Sequence, residues 1–355
     1  MTTARQSAHT GQDLIVSGLG VVTPWADTPD KAARDGRPAV PEGWFDHRER
    51  LGRRGYKYLP SATQYFLAAT KQALTDAGEP QGGAGSGVLG AEERRGAAVG
   101  TNSAAAALHE EMDRTVVAEG AGALSPATAP YFSINLFGSR LATEHALKGF
   151  NLTLTSPRVA GLEALESGAR SVRLGRASWL LAGATEEALP DAHAGAGLSE
   201  RGAVALVLEP TDVVQARGER GYGHCAVRSC FLPPRTAAAP EGPDRARTRI
   251  DAALAALGAG PVPEQRVIAV LDDSPVAAAV AAAVGPGARL VTAGAGALEP
   301  LLQVAGALAA LSGPVTVVTA AREGNLAVAL LTPPDRPGAR RGRAARRKEN
   351  EEGQR

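Results

Sequence analysis

The sequence predicts a layered α/β fold built from two similar halves, and three observations carry that prediction. First, two stretches repeat one order of elements: helix, glycine, apolar strand, second strand. Second, LLQVAGALAAL at Leu301 is apolar nearly all round, so that helix needs cover on every side. Third, DLIVSGLGVV at Asp13 and RVIAVLDD at Arg266 are continuous apolar runs, as in strands whose sheet is covered on both faces.

In the first copy a helix from about Pro157 to Leu174 leads through Gly175 into the strand WLLAG at Trp179, and GAVALVLEP starts at Gly202. In the second, a helix from about Pro300 to Leu311 leads through Gly313 into VTVVTA at Val315, and GNLAVALLTP starts at Gly324. Further helices are predicted at Ser61–Ala77, Ser103–Ala118 and Asp244–Leu257. Ser274 followed by Pro275 marks an N-cap and first turn before VAAAVAAAV, with Gly285 closing that helix. Gln81–Gly90 and Pro233–Pro243 read as surface loops, and everything after about Pro334 as a solvated tail.

Composition narrows the function. The 355 residues are 44% hydrophobic and 21% charged, which excludes wholesale disorder. Cys225 and Cys230 are the only cysteines, too few for a disulfide framework and typical of a reducing compartment, so a cytoplasmic home is expected. The amino terminus, MTTARQSAHTGQD, has no apolar stretch of signal-peptide length and no run of roughly 18 apolar residues occurs anywhere, so neither secretion nor a membrane is expected. Arg336–Arg355 holds eight Lys/Arg and three Asp/Glu against a net charge of +1 for the whole chain, which leaves the body mildly acidic. With aromatics at 4%, a nucleic-acid partner is not expected.

Several blocks resemble the β-ketoacyl synthase branch of the thiolase fold: VSGLGVVTP at Val16, YFLAATKQALTDAG at Tyr65, GFNLTLTSPRVAGLEALESGARSVRLGRASWLLAGATE at Gly149, GAVALVLEP at Gly202 and ARGERGYGHCAV at Ala216. The resemblance covers roughly residues 13 to 332, with a shortened segment after the first strand and a shortened carboxy-terminal half. It implies a five-layered αβαβα fold of two similar halves, 13–212 and 213–333; the charge run beyond them reads as a basic disordered tail, 334–355.

That family places a nucleophilic cysteine at the N-terminus of the buried first-half helix, where free N–H groups favour a thiolate and an oxyanion. Setting the family's V-S-T-A-C-A-S-G against LTSPRVAG puts Arg158 at that position. A guanidinium stays protonated and offers no lone pair for attack. The family's two histidines would lie beyond Arg266, yet the last histidine is His224; by pattern Asp272 and Pro300 take their places, and Ala295 falls where a lysine is expected. AREGN at Ala321 replaces the Gly-Phe-Gly-Gly loop.

A ketosynthase fold with an emptied site resembles the chain length factor, the non-catalytic partner of the ketosynthase in type II polyketide synthases. The resemblance implies a heterodimer with an active ketosynthase, acyl carrier protein and its polyketide intermediate met mainly through that partner, and no cofactor. Arg158 differs from the glutamine usual in aromatic-polyketide versions; the short length and erased site are closer to the partners in polyene-forming, highly reducing systems. Family members place the helix after VGTNS and the following crossover at the dimer seam. The candidate tunnel and interface residues are therefore Ala104, Ala105, Leu108, His109, Met112, Tyr131, Phe132 and Phe137. The alternative is a divergent ketosynthase or acyltransferase using Asp272 or Ser156; a further one is a stand-alone scaffolding homodimer.

Other signals have duller readings. If buried, Arg158 needs a carboxylate, and Asp272 or Asp273 from the matching place in the other half is the natural partner; otherwise Arg158 turns to solvent or the seam. Gly18-Leu19-Gly20 lacks the third glycine of a dinucleotide turn and reads as structural. His224, Cys225 and Cys230 lack the second close pair of a zinc site, so no metal is expected and buried strand positions are. The basic run Arg340–Lys348 reads as solvated rather than as a carrier-protein contact. Ser156 and Ser274 sit in no G-x-S-x-G elbow, so a hydrolase finds no support.

Overall fold

A computed structural model describes residues 13–33, 39–79, 88–264 and 266–334. Most of the expected Gln81–Gly90 loop, and the tail beyond Pro334, lie outside the described residues. The first sheet holds β1 (Leu14–Val22), β2 (Arg95–Gly100), β3 (Phe150–Leu154), β4 (Trp179–Glu186) and β5 (Gly202–Pro210) in the order β1-β5-β4-β2-β3. The second holds β6 (His224–Phe231), β7 (Val267–Leu271), β8 (Arg289–Thr292), β9 (Val315–Ala320) and β10 (Asn325–Thr332) in the order β6-β10-β9-β7-β8. Strand for strand the orders are the same, and so are the directions: the second and third strands of each half run parallel, the outer hairpin-side pairs antiparallel. The halves that are similar only by pattern in sequence thus share one topology.

Helix α1 (Ser61–Asp76) covers the outer face of the first sheet. Helices α2 (Ala106–Glu119) and α3 (Leu136–His145) follow β2. Helix α4 (Ala160–Arg173) lies between the sheets, while α5 (Gly242–Ala256) and α6 (Pro275–Val284) cover the outer face of the second sheet. Helix α7 (Leu298–Ala309) joins α4 in the middle layer. The result is the expected five layers. Leu301–Ala305 are all buried, as an apolar helix without a polar face requires, and β1 and β7 are buried almost end to end.

Local chemistry explains most boundaries. Ser274 caps α6, its Oγ accepting from the Ala277 N–H at 3.2 Å. Gly18 and Gly20 lie within β1, where a Cβ would stand 2.1 Å from Ala73 O and 1.9 Å from Ala69 O. They let α1 approach the sheet, and form no phosphate turn. Two expectations need correction. The segment Pro233–Pro243 is not a plain loop: Pro234–Ala237 forms a helical turn and α5 begins at Gly242, because Pro at the first positions needs no N–H partner. The first-half buried helix begins at Ala160 rather than near Pro157, since Arg158 has a left-handed φ of 62° and breaks the helical run. His224, Cys225 and Cys230 lie on β6; Cys225 is buried and burial pushes its thiol up to about 12. No helix among the described residues is long and apolar enough to cross a membrane.

Candidate functional site

The two middle-layer helices begin side by side, and the residues before them form the site. Ahead of α4 the chain turns sharply through Ser156, Pro157 and Arg158. Asn102, just after β2, braces this elbow: its Oδ1 accepts from the Arg158 N–H at 3.0 Å, and its Nδ2 donates to the carbonyls of Thr155 (2.9 Å) and Ser156 (3.0 Å). A left-handed arginine costs about 1–2 kcal/mol, and those contacts hold it.

The Arg158 side chain crosses to the second half. Its Nη1 donates to Gly294 O at 2.9 Å and its Nη2 meets Asp272 Oδ2 at 3.1 Å. The side chains are only 11% and 12% exposed. The other Asp272 oxygen accepts from the Ser274 N–H at 2.9 Å, so one carboxylate both pairs the arginine and shapes the turn into α6. Asp273, the other candidate partner, is exposed. Pro300 is buried in the first turn of α7, where a missing N–H leaves no bond unmade. Ala295 donates its N–H to Leu198 O at 2.9 Å.

Three further residues complete the site, and none was singled out above. Glu186, at the end of β4, is fully buried. Its Oε1 accepts from the N–H groups of Asn102 (2.7 Å) and Ala297 (2.8 Å), its Oε2 from the Ser103 N–H (2.6 Å). Glu200 accepts from the N–H groups of Leu298 (2.9 Å) and Glu299 (3.1 Å). Together the two carboxylates satisfy the open N–H groups of α7. Burial, with Glu200 nearby, pushes the Glu186 carboxyl up to about 7. Glu187, 6% exposed, is also raised by burial, and the N–H groups of Ala62, Ala107 and Ala105 pull it back. A signal was present in sequence: WLLAGATEE sets two acids at the end of a wholly apolar strand, where a carboxylate is either buried with partners or out of place.

The expected tunnel and interface residues fall into two groups. Ala104 and Ala105 are buried beside the site, and Ala105 has a left-handed φ of 65°. Leu108, His109 and Met112 are half-buried on α2, as is Tyr131 on the segment before α3. His109 Nε2 donates to Phe132 O at 2.8 Å, tying the two stretches together, while the Phe132 ring is 63% exposed. The Phe137 side chain lies outside the described residues. No residue of α2 is buried, and Val117 is 89% exposed.

The profile of the beta-ketoacyl synthase N-terminal domain matches residues 15–222, and the chain belongs to the beta-ketoacyl synthase family. A 3-oxoacyl-(acyl-carrier-protein) synthase 2 of Vibrio harveyi is 25% identical over 259 residues, 59% of this chain and 60% of the relative. That of Vibrio cholerae is 26% identical over 147 residues, 41% of this chain and 33% of the relative. In neither does the match reach two thirds of the relative's own length. Among solved structures, the ishigamide ketosynthase/chain length factor superposes with a TM-score of 0.71 at 21% identity, covering 91% of this chain and 100% of that one. A type II polyketide synthase acyl carrier protein in complex with its ketosynthase bound to the hexaketide gives 0.69 at 14% identity, with 92% and 100% covered. A beta-ketoacyl synthase from Burkholderia phymatum gives 0.66 at 13% identity, with 91% and 100% covered. At these identities the likeness establishes the fold, which is the thiolase-like fold of ketosynthases.

Proposed function

We propose that this chain is a non-catalytic chain length factor, which pairs with an active ketosynthase and lends its surface to the tunnel in which a carrier-bound polyketide or polyene grows. One observation carries the reading: the N-terminus of α4 holds Arg158, locked to Asp272 and Gly294 O, where a ketosynthase needs a nucleophile. An arginine neither attacks a thioester nor carries an acyl group. Both cysteines lie on β6 and the last histidine is His224, so neither middle-layer helix begins with a thiol or an imidazole.

The heterodimer is supported by α2. A 14-residue helix with no buried residue has little to hold it in place alone, since short helices draw their stability from packing an apolar face. Val117 on it and Phe132 beyond it are exposed, and β3 is an edge strand of the first sheet. Together these make an incomplete surface that a partner of the same fold would cover.

The test is co-expression with a type II ketosynthase that has an intact cysteine and two histidines, followed by light scattering and product analysis with acyl carrier protein. A one-to-one complex whose product length changes with substitutions at Leu108 or Met112 supports the reading. Turnover or covalent acyl labelling of the purified chain alone would establish instead the divergent-enzyme reading through Asp272 or Ser156. Failure to form any mixed complex would leave the scaffolding homodimer.

A further inference from the structure

The oxygens around Ser103 are one proton short. Ser103 Oγ lies 2.6 Å from Glu186 Oε2 and 2.8 Å from the Glu187 carbonyl oxygen. Both distances are those of O–H···O bonds, but a serine hydroxyl has one hydrogen to give. The carbonyl can only accept. If Ser103 donates to it, the Glu186 contact brings two lone pairs together unless Glu186 itself supplies the missing hydrogen. If Ser103 donates to Glu186 instead, the carbonyl contact is left with none.

Burial and Glu200 favour a neutral Glu186, against the N–H groups of Asn102, Ala297 and Ser103 that donate to it. It is 0% exposed, and Glu200 is 3% exposed. The two converge on Gly296, where an added Cβ would stand 2.5 Å from Glu200 Oε2 and 2.6 Å from Glu186 Cδ. Two full negative charges about one buried glycine repel, and Glu200 raises the Glu186 carboxyl. The other titratable groups about the site are engaged elsewhere. Glu187 caps Ala62 at 3.3 Å and is attracted by His109; Glu299 accepts from Gln303 Nε2 at 2.8 Å; Arg158 and Asp272 pair with each other. Thr101 Oγ1 donates to Glu186 Oε2 at 3.2 Å and accepts from the Ala104 N–H at 3.1 Å.

We propose that Glu186 is a proton-bearing carboxylic acid which donates its O–H to Ser103 Oγ and clamps the 101–103 loop, where α2 begins, to the N-terminus of α7, a clamp that loosens when the proton leaves. Burial and the neighbouring Glu200 displace this carboxyl upward to about 7. The clamp is independent of the chain length factor reading, since it concerns only this chain's own fold.

The test is a pH titration of protein carrying ¹³C in its glutamate side-chain carboxyls, followed by NMR, with E186Q for assignment. One carboxyl is expected to stay protonated at pH 6, with its midpoint within about one pH unit of neutrality. Ser103→Ala gives the decisive sign. Loss of a hydroxyl that accepts from the acid lowers the midpoint; loss of one that donates to the carboxylate raises it. E200Q, which keeps an oxygen for Leu298 and Glu299, lowers it as well. Intrinsic-rate-corrected hydrogen exchange at 101–108 and 297–300 should quicken above the midpoint and stay flat below it. Should E186Q fail to fold, the S103A shift assigns the resonance. No glutamate titrating above about pH 6, or an upward shift in S103A, overturns the proposal.

Discussion

Substituting Asp272 tests whether the arginine at the head of α4 is held by charge or only rests there. Arg158 and Asp272 are 11% and 12% exposed, nearer to a buried pair than to a surface one. Removing one partner of a fully buried pair costs about 3–5 kcal/mol, an exposed pair well under about 1; discounting for the remaining solvent access, about 2 kcal/mol is expected here. Asp272→Asn is the cleaner change, because the amide oxygen can still accept from the Ser274 N–H that Asp272 now holds at 2.9 Å. Asp272→Ala loses that bond too and should cost about 1 kcal/mol more. Arg158→Met keeps the apolar stem and removes the charge. A cycle of D272N, R158M and the double variant, measured by urea unfolding through the fluorescence of the three tryptophans, isolates the pair. The expected coupling is about 2 kcal/mol, largely kept in ~1 M salt, where an exposed pair would be screened. A coupling below about 0.5 kcal/mol would refute the argument that charge locks the two halves together here.

Three other outcomes follow from the same geometry. Asn102→Ala removes the three hydrogen bonds that brace the elbow and should lower stability by about 2–3 kcal/mol, read as a shift in urea midpoint with an unchanged slope. Gly20→Ala puts a Cβ 1.9 Å from Ala69 O, so α1 must lift from β1; a loss of about 3 kcal/mol or insoluble expression is expected, and a wild-type melting curve would contradict it. Glu186 has its folded-state carboxyl raised from 4.5 to about 7, so the stability it contributes is full below about pH 4.5 and is lost as pH rises through 7. By linkage that loss approaches about 3 kcal/mol between pH 5 and 8, and urea midpoints across that window should show it in the wild type and not in Glu186→Leu.

How far the sequence reveals this molecule depends on whether the cause is local. The strands at Leu14, Trp179, Gly202, Val267, Val315 and Asn325 are legible because a continuous apolar run has few other homes, and α6 because Ser274, Pro275 and Gly285 punctuate it. Arg289–Thr292 is not, since RLVT is short and three of its four residues are exposed; only pairing with β7 makes it a strand. Helix α3 is hidden for a similar reason: Leu136–His145 has a weak apolar stripe and follows a run of turn-forming residues. At the site, the sequence offers Asp272 and Asp273 alike, and the choice between them is made by the turn into α6, which directs one inward and leaves the other exposed. Glu186 and Glu200 show their acids in sequence but not their partners, which come from the 101–103 loop and from α7, far along the chain. A network satisfied by backbone N–H groups leaves no pattern of residue types to read.

The backbone at residue 158 shows what a change of side chain there can and cannot alter. Arginine has no intrinsic reason to adopt φ of 62°, so the elbow must be imposed by its surroundings: Asn102 on one side, the close approach of β2 to α4 on the other, where a Cβ on Gly100 would stand 2.3 Å from the Ala160 carbonyl carbon. The turn should then persist whatever occupies position 158, and the occupant should register the strain. Comparing Arg158→Gly with Arg158→Ala tests this directly, because both lose the bridge to Asp272 and the bond to Gly294 O, and only alanine retains the steric penalty. At an unstrained position ahead of a helix, glycine would be the less stable of the two through its greater freedom when unfolded. Here glycine should be the more stable by about 1 kcal/mol in urea unfolding. An alanine variant equal to or better than the glycine one would mean that the elbow relaxes once the guanidinium is gone, and that the Arg158 bridge rather than the surrounding loops creates the turn.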